Sequence, residues 1–311
     1  MLHEEAAELN CSLDRENCLL SLNFAEKIPL REIHHAVGGN AANAAVGGAR
    51  LGMETAIMSI VGNDDASKRA ICKFENENVS LDYLTRDKIT NQSIALVYKG
   101  ERTILVHHEP RRYIFKVDRG TQWIYLTSMG RGGEEIVHDV AQYTEAHNAS
   151  IVFSPGTYQL KLGPRPYGII LQSAHTIILN KEEAIQYTRG TDKEDIKDLL
   201  DKLLALGPER AVITDGERGS YASDGEQYWH CQVFPAERIE ATGAGDAYAS
   251  AFAAAMFYGL SIDDAMRWGS INSASVIGRI GPQGGLLNKM QLEHRSTNHT
   301  NFRAQPLREV K

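Results

Sequence analysis

The sequence predicts an α/β protein: a doubly wound, mostly parallel sheet with helices on both faces, accompanied by a small β-sheet lid. Three observations carry that expectation. Short β-branched or aromatic runs alternate with amphipathic ones along the middle and C-terminal parts of the chain. These short runs lack strict apolar–polar alternation, as strands covered on both faces do. Two further segments, 18–37 and 91–107, break the pattern and read as extended chain.

Taken in order, 18–37 is an extended stretch interrupted by Pro29, and a small-residue helix follows Gly38-Gly39 as far as Leu51-Gly52. Strands are expected at 55–61, 123–127, 151–153, 176–179 and 211–214, nearly every one ending at Gly, Asn, Ser or Asp. Residues 91–107 form a hairpin, Ser-Ile-Ala-Leu-Val-Tyr and Arg-Thr-Ile-Leu-Val-His, with Gly100 supplying the turn. The helix at 191–206 places Ile196, Leu199, Leu200, Leu203 and Leu204 on one face. Thr191 and Glu194 form its capping box and Gly207-Pro208 its stop. Asp224-Gly225 turns a hairpin at 220–230. The apolar run 247–260 is a buried helix, too short to cross a bilayer. A helix at 263–278 follows, and the polar tail after Asn288 is expected to attach loosely. The expected division is a core of 38–90 and 115–311 with a lid of 18–37 and 91–114, the two lid segments forming one sheet.

A chain of 311 residues is about two average domains, but α/β folds often reach this size as one. With 42% apolar and 23% charged residues, disorder and fibrous repeats are excluded. Lys plus Arg number 33 against 40 Asp plus Glu, a net charge of −7, which argues against nucleic acid or an anionic membrane as partner. A small anion remains compatible, since a helix end and a few glycines bind phosphate without net positive charge. The acidic start Met-Leu-His-Glu-Glu does not read as a signal peptide. Cys11, Cys18, Cys72 and Cys231 lack zinc-site spacing, so reduced thiols in a cytoplasmic protein are expected.

Four motifs carry the chemistry. Gly38-Gly39-Asn40-Ala41-Ala42-Asn43 opens a helix with room for a ligand and two amide side chains. By itself it is equally a tight turn with an Asn cap. Thr242-Gly243-Ala244-Gly245-Asp246 runs into the apolar helix, exposing N–H groups where the dipole favours an anion. Asp246 is either a helix cap or a base beside that anion site. Asn180-Lys181-Glu182-Glu183 follows a strand, and Asn180 and Glu183 share a helical face that suits a hydrated Mg²⁺ or a charged helix start. The loop Thr214-Asp215-Gly216-Glu217-Arg218-Gly219 faces a nucleotide or simply turns into the next hairpin.

In this order at strand ends, the motifs resemble the ribokinase (PfkB) family of carbohydrate kinases, which includes ribokinase, adenosine kinase and other nucleoside kinases. Gly38-Gly39-x-x-x-Asn43 and Thr242-Gly243-Ala244-Gly245-Asp246 look like its two signatures, and the likeness runs over roughly 18–290. It extends to the 263–278 helix and the loop Gly281-Pro282-Gln283-Gly284-Gly285, which look like the family's adenine-side segment. The resemblance implies a ribokinase-like fold and a cytoplasmic kinase transferring the γ-phosphoryl group of Mg-ATP to a hydroxyl of a small sugar. The alternatives are a nucleoside kinase and a non-catalytic binding homologue. It further implies Asp246 as catalytic base and Gly243, Ala244 and Gly245 as anion hole. Gly38, Gly39, Asn40 and Asn43 would bind the acceptor. Asn180, Thr214, Gly216, Gly219 and Ser270 would bind ATP, and Glu183 would hold Mg²⁺ through water. The lid would close over the sugar and pair two copies as a homodimer.

Three departures stand out. Glu240-Ala241-Thr242 replaces the usual Asp-Thr-Thr, leaving monovalent-cation dependence open. Residues 1–17 contain no apolar strand ending in an acceptor-binding Asp, with which the family opens, and Asp14 has no apolar run before it. Asn40 occupies a position that varies with substrate in the family. His34-His35 and His107-His108 are expected to be surface or lid-packing histidines, and Arg111-Arg112 a solvated charge pair.

Overall fold

The computed structural model describes residues 1–11, 18–99 and 101–307. Its strands are β1 (Glu8–Cys11), β2 (Cys18–Ser21), β3 (Ser59–Val61), β4 (Leu84–Arg86), β5 (Gln92–Tyr98), β6 (Glu101–His107), β7 (Trp123–Leu126), β8 (Ser150–Phe153), β9 (Ala174–Asn180), β10 (Ala211–Thr214), β11 (Ser220–Ser223), β12 (Tyr228–Cys231) and β13 (Gln305–Pro306). Its α-helices are α1 (Asn40–Arg50), α2 (Asp65–Asn76), α3 (Val137–His147), α4 (Thr157–Leu162), α5 (Gly168–Ser173), α6 (Lys181–Thr188), α7 (Ile196–Leu204), α8 (Ala244–Phe257), α9 (Ile262–Ile277) and α10 (Lys289–Asn298).

The central sheet has the order β13-β12-β11-β10-β9-β8-β7. β7 to β10 are parallel, and β10 to β13 continue as an antiparallel meander. Because β7 to β10 step one way across the sheet, right-handed crossovers put α3 to α7 on a single face. There Val140, Ile170, Tyr187 and Leu200 pack on Ile151, Phe153, Ile177, Leu179 and Ile213. The intervening residues Val152, Ile178 and Val212 point the other way, onto α8 and α9. This two-sided burial is the reason for the unbroken apolar strands in the sequence.

β3 and β4 form a separate parallel pair, extended by a bridge from Ala56 to Ser80, with Val46, Ile57 and Phe74 in their own core beside α1 and α2. β3 and β7 line opposite sides of a cavity of about 2100 Å³, and no pairing joins them among the described residues. Parallel pairing turns alternate residues to alternate sides. Ile57 N–H and Val61 C=O face β4's side, and Gln122 and Leu126 carbonyls face β8. The peptide groups of Met58, Ile60, Trp123 and Tyr125 therefore face the cavity.

Several expectations are corrected. The lid segments do not form one sheet. β5 and β6 pair as a hairpin, while β2 pairs with β1 and residues 31–39 are not strand. The two pairs meet through packing of Leu2, Ala7 and Tyr98 and the bond from Tyr98 Oη to Ala7 C=O at 2.8 Å. The Gly100 turn and Asp14 lie outside the described residues. Cys11 and Cys18 are register partners joined by a disulfide, so the reduced state holds only for Cys72 and buried Cys231. The helix expected from 191 starts at Ile196, because Asp195 accepts from Lys197 N–H at 2.8 Å and caps it there. The tail is docked rather than loose: α10 buries Leu292, Arg267 donates to the Ser296 and His299 carbonyls, and β13 adds to the sheet.

Arg111 is not a solvated charge. It is buried and donates to the carbonyls of Asp87 and Ile89, fastening the exit of the lid hairpin to its entrance. The entrance is pinned as well. Asp64, the cap of α2, accepts from Thr90 N–H and Oγ1 at 2.7 Å each, and these bonds hold its carboxyl down to about 2. Gly62 is required here, since a Cβ would fall 2.5 Å from Thr90 N. The histidines lie at the surface as expected, His34 beside Glu32 and His107 beside Glu109.

Candidate active site

The site begins where two helices of small residues lie side by side. Asn43 of α1 donates through Nδ2 to Asp246 Oδ2 of α8 at 2.7 Å. Four residues further along both helices, a Cβ on Gly47 would fall 2.5 Å from Ser250 Oγ. Contacts that recur at the same spacing mean the helices run parallel with their N-termini together. Gly47 and the alanines around it permit that approach. Two helix N-termini then converge on one spot, where their dipoles favour negative charge.

Asp246 is not the helix cap. That position is Gly243, and Asp246 is the third helical residue. Burial pushes its carboxyl above the usual range, opposed by the Asn43 bond. Gly243 has φ +81°, and a Cβ there would lie 2.7 Å from Pro282 Cα. Both facts demand glycine, so the signature packs beneath the loop 281–285. Glu240 clamps the same contact, accepting from Thr242 Oγ1 and, at 2.8 Å, from Gly281 N–H. Of the expected anion-hole trio, Ala244 N–H closes a turn on Ala241 C=O at 3.3 Å. The Gly245 and Asp246 N–H groups are then the first-turn donors best placed to face an anion. Gly38, Gly39, Asn40, Asn43, Gly243 and Asp246 all line the large cavity.

The residues expected to bind ATP, Ser270 apart, lie elsewhere, at the ends of β9 and β10. Asn180 caps α6 reciprocally: its Oδ1 accepts from Glu183 N–H at 2.7 Å, and Glu183 Oε2 accepts from Asn180 N–H at 2.9 Å. Burial and the nearby Asp246 charge push the Glu183 carboxyl up. Tyr125 of β7 lines the same cavity as Asp246, and its hydroxyl is raised by burial and then by the Asp246 and Glu183 charges. Thr214 ends β10, and Gly216 and Gly219 both have positive φ. A Cβ on Gly219 would fall 2.1 Å from Cys231 C=O, so this glycine serves the strand crossing. Ser270 lies behind Gly219, where a Cβ would fall 3.0 Å from Gln232 Cα. Its buried hydroxyl donates to Gln232 C=O and accepts from Phe234 N–H, both at 3.0 Å.

Sequence reasoning missed Asp215, which is buried, bound by Arg218 through two bonds of 2.6 Å and approached by Lys181 at 3.8 Å. The Asp-x-x-Arg spacing was its signal. It also missed Tyr125 and the contact of Gln283 with Asn43. Nothing local marks either one.

A divalent ion is implied by the family resemblance, and the donor set fits one kind. No cluster of three or more His, Cys, Asp or Glu exists among the described residues. Glu183 keeps Oε1 beyond its cap, and the Asp246 charge adds to burial in raising its carboxyl. That suits a hydrated Mg²⁺ with few protein ligands. No helix among the described residues is long and apolar enough to cross a membrane.

Residues 9–289 match the model of the pfkB family carbohydrate kinases. The chain is 25% identical over 264 residues to the ribokinase of Bacillus subtilis, covering 82% of this chain and 86% of that protein. It is 24% identical over 266 residues to the 5-dehydro-2-deoxygluconokinase of Clostridium tetani, with 78% of each covered. Its fold matches the Arabidopsis thaliana ribokinase complexed with ribose and ATP (TM-score 0.75, 21% identity, 88% and 91% covered). It also matches the Burkholderia thailandensis nucleoside kinase in complex with inosine (TM-score 0.75, 19% identity, 90% and 94% covered). A mixed sheet of this order, the two glycine signatures meeting at one buried carboxylate and a family match over most of the length agree: the chain belongs to the pfkB family of carbohydrate kinases.

Proposed function

We propose that the protein transfers the γ-phosphoryl group of Mg-ATP to a hydroxyl of a small sugar held between Gly38-Gly39 and Asp246. The carrying observation is the 2.7 Å bond from Asn43 to Asp246, which sets a buried carboxylate at two converging helix N-termini. Asp246 takes the proton from the acceptor hydroxyl as that oxygen attacks phosphorus. The Gly245 and Asp246 N–H groups, with Gly243, face the charge developing on the transferring group. Glu183 would hold a Mg²⁺ through its water shell, and such an ion would supply charge neutralisation at the phosphates. Thr214, Gly216 and Gly219 border the nucleotide, and the β5–β6 hairpin excludes water over the sugar.

Coupled ADP release over a panel of sugars and nucleosides tests this. Release stimulated by a sugar is expected. Stimulation by nucleosides alone favours the other acceptor class, and saturable binding without release removes the kinase reading. Glu183→Gln keeps the cap, because glutamine serves equally in a capping box. It is expected to raise the Mg²⁺ concentration for half-maximal rate several-fold with acceptor KM little changed. An unaltered Mg²⁺ titration takes Glu183 out of the metal's surroundings.

The proposed partner for the outer lid face is a second copy. Along β6, Ile104 and Val106 line the cavity while Leu105 between them points outward, 52% exposed. Leu105→Glu is expected to convert a dimer to a monomer in sedimentation velocity. A wild-type chain that already sediments as a monomer rejects the assembly.

A further inference from the structure

We propose that Gln283 is a positioning residue for Asp246, acting through Asn43 to hold that amide with its N–H toward the carboxylate. The inference rests on the reading of Asp246 as the base and adds a residue to it.

The geometry is a one-way chain of amides. Gln283 Nε2 donates to Asn43 Oδ1 at 3.0 Å, and Asn43 Nδ2 donates to Asp246 Oδ2 at 2.7 Å. An ionised carboxylate only accepts, so Asn43 must present its NH₂ to Asp246. Its oxygen then faces Gln283 and requires a donor there. Asn43 and Gln283 are both buried, 3% and 4% exposed, so water does not supply that donor. Without Gln283, either orientation of the Asn43 amide leaves one buried group unsatisfied. Nothing then forces its N–H toward the base.

Gln283 is itself set by its main chain. Its side-chain Oε1 is buried without a partner among the described residues, so the Asn43 contact is the bond that orients the amide. Arg50, at the far end of α1, donates to the carbonyls of Gln283 at 2.9 Å and Leu286 at 2.8 Å. Glu77 grips Arg50 with bonds of 2.8 and 2.6 Å, and that guanidinium holds its carboxyl down to about 2. An ion pair remote from the chemistry thus fixes the loop from which Gln283 reaches Asn43.

The Asp246 charge raises Tyr125 of β7 and Glu183 at the start of α6, while on Asp246 itself burial and the Asn43 bond act. The 281–285 loop carries no ionisable group, and α1 carries only Arg50, which is turned to the loop carbonyls. α9 presents Asn272, whose Nδ2 donates to Ala247 C=O at 2.9 Å. Within α8, Tyr248 is turned to Ser220. The Asn43 amide is therefore the neighbour that favours the ionised form of Asp246.

The test is a double-mutant cycle in the full chain with Gln283→Met, Asn43→Ala and both together. Methionine matches glutamine in length and adds no charge. Two quantities are read: the Asp246 titration by carboxyl ¹³C NMR, and the acid limb of kcat/KM. Gln283→Met is expected to move both upward by about half a pH unit or more, and Asn43→Ala by about one unit, the scale of a lost charge-assisted hydrogen bond. In the Asn43→Ala background, Gln283→Met is expected to add nothing. An Asp246 titration unmoved by Gln283→Met, with only the melting temperature lowered, overturns the proposal. So does an equal shift in both backgrounds, since Gln283 would then act without Asn43. If the NMR titration moves while the kinetic limb does not, the amide chain stands and the base assignment fails.

Discussion

Asp246→Asn is expected to lose turnover and gain stability at once. The loss is about 10² or more in kcat, the scale of a missing general base, with nucleotide affinity little changed. Asparagine keeps an oxygen for Asn43 Nδ2, so the helix contact survives. The gain follows from linkage. Burial raises the carboxyl's pKa in the folded state above its unfolded value, so the native state holds the proton more tightly. Stability from this group is full below the unfolded pKa of about 3.9 and is lost as pH rises through the folded one. At neutral pH the wild type carries a buried charge that the variant lacks. Melting curves should place Asp246→Asn above wild type at pH 7, with the difference vanishing below about pH 4. A variant that turns over within a few-fold of wild type removes Asp246 from the chemistry. One that melts no higher at pH 7 shows that its charge is adequately solvated.

The elements whose burial is two-sided were legible because their sequence carries the record. β8, β9 and β10 are continuous apolar runs, and each stands where it was expected. The signature at 242–246 was legible for a related reason: a glycine at φ +81° under Pro282 cannot be another residue. What was missed depends on partners distant in the chain. Arg111 looks solvated beside Arg112, and only the fold brings the Asp87 and Ile89 carbonyls to it. The tail looks loosely attached until Arg267 supplies donors to the end of α10. The Thr191 capping box half-forms, with Thr191 N–H donating to Glu194 at 3.2 Å, but Asp195 offers a better start one turn later. Gln283 was read only as part of a loop, and nothing local shows that its side chain touches Asn43, 240 residues away. Local pattern reports what a segment buries and seldom what it reaches.

A strand supplied between β3 and β7 is expected to raise both the melting temperature and acceptor turnover. Peptide groups of Met58 and Ile60 on one side, and of Trp123 and Tyr125 on the other, face the same cavity. An extended segment between them would pair with both edges, converting two separate sheets into one. Its side chains would enter the cavity lined by Ala42, Ala70 and Phe74 and by Trp123, Tyr125 and Ala253. Filling such space with even one large apolar side chain is worth about 2–5 kcal/mol. At this chain length each kcal/mol moves Tm by about 2–4 °C. Met1 lines the cavity, so a strand fused ahead of it through a short flexible linker has access. Apolar β-branched residues suit the buried position, and a proline in the middle of the same strand provides the control. The fused chain should melt several degrees higher than the 311-residue form, the proline version should not, and sugar-stimulated ADP release should rise in parallel. Equal melting of all three would mean that residues 1–11 and the lid already close that cleft, and that β3 and β7 need no third strand.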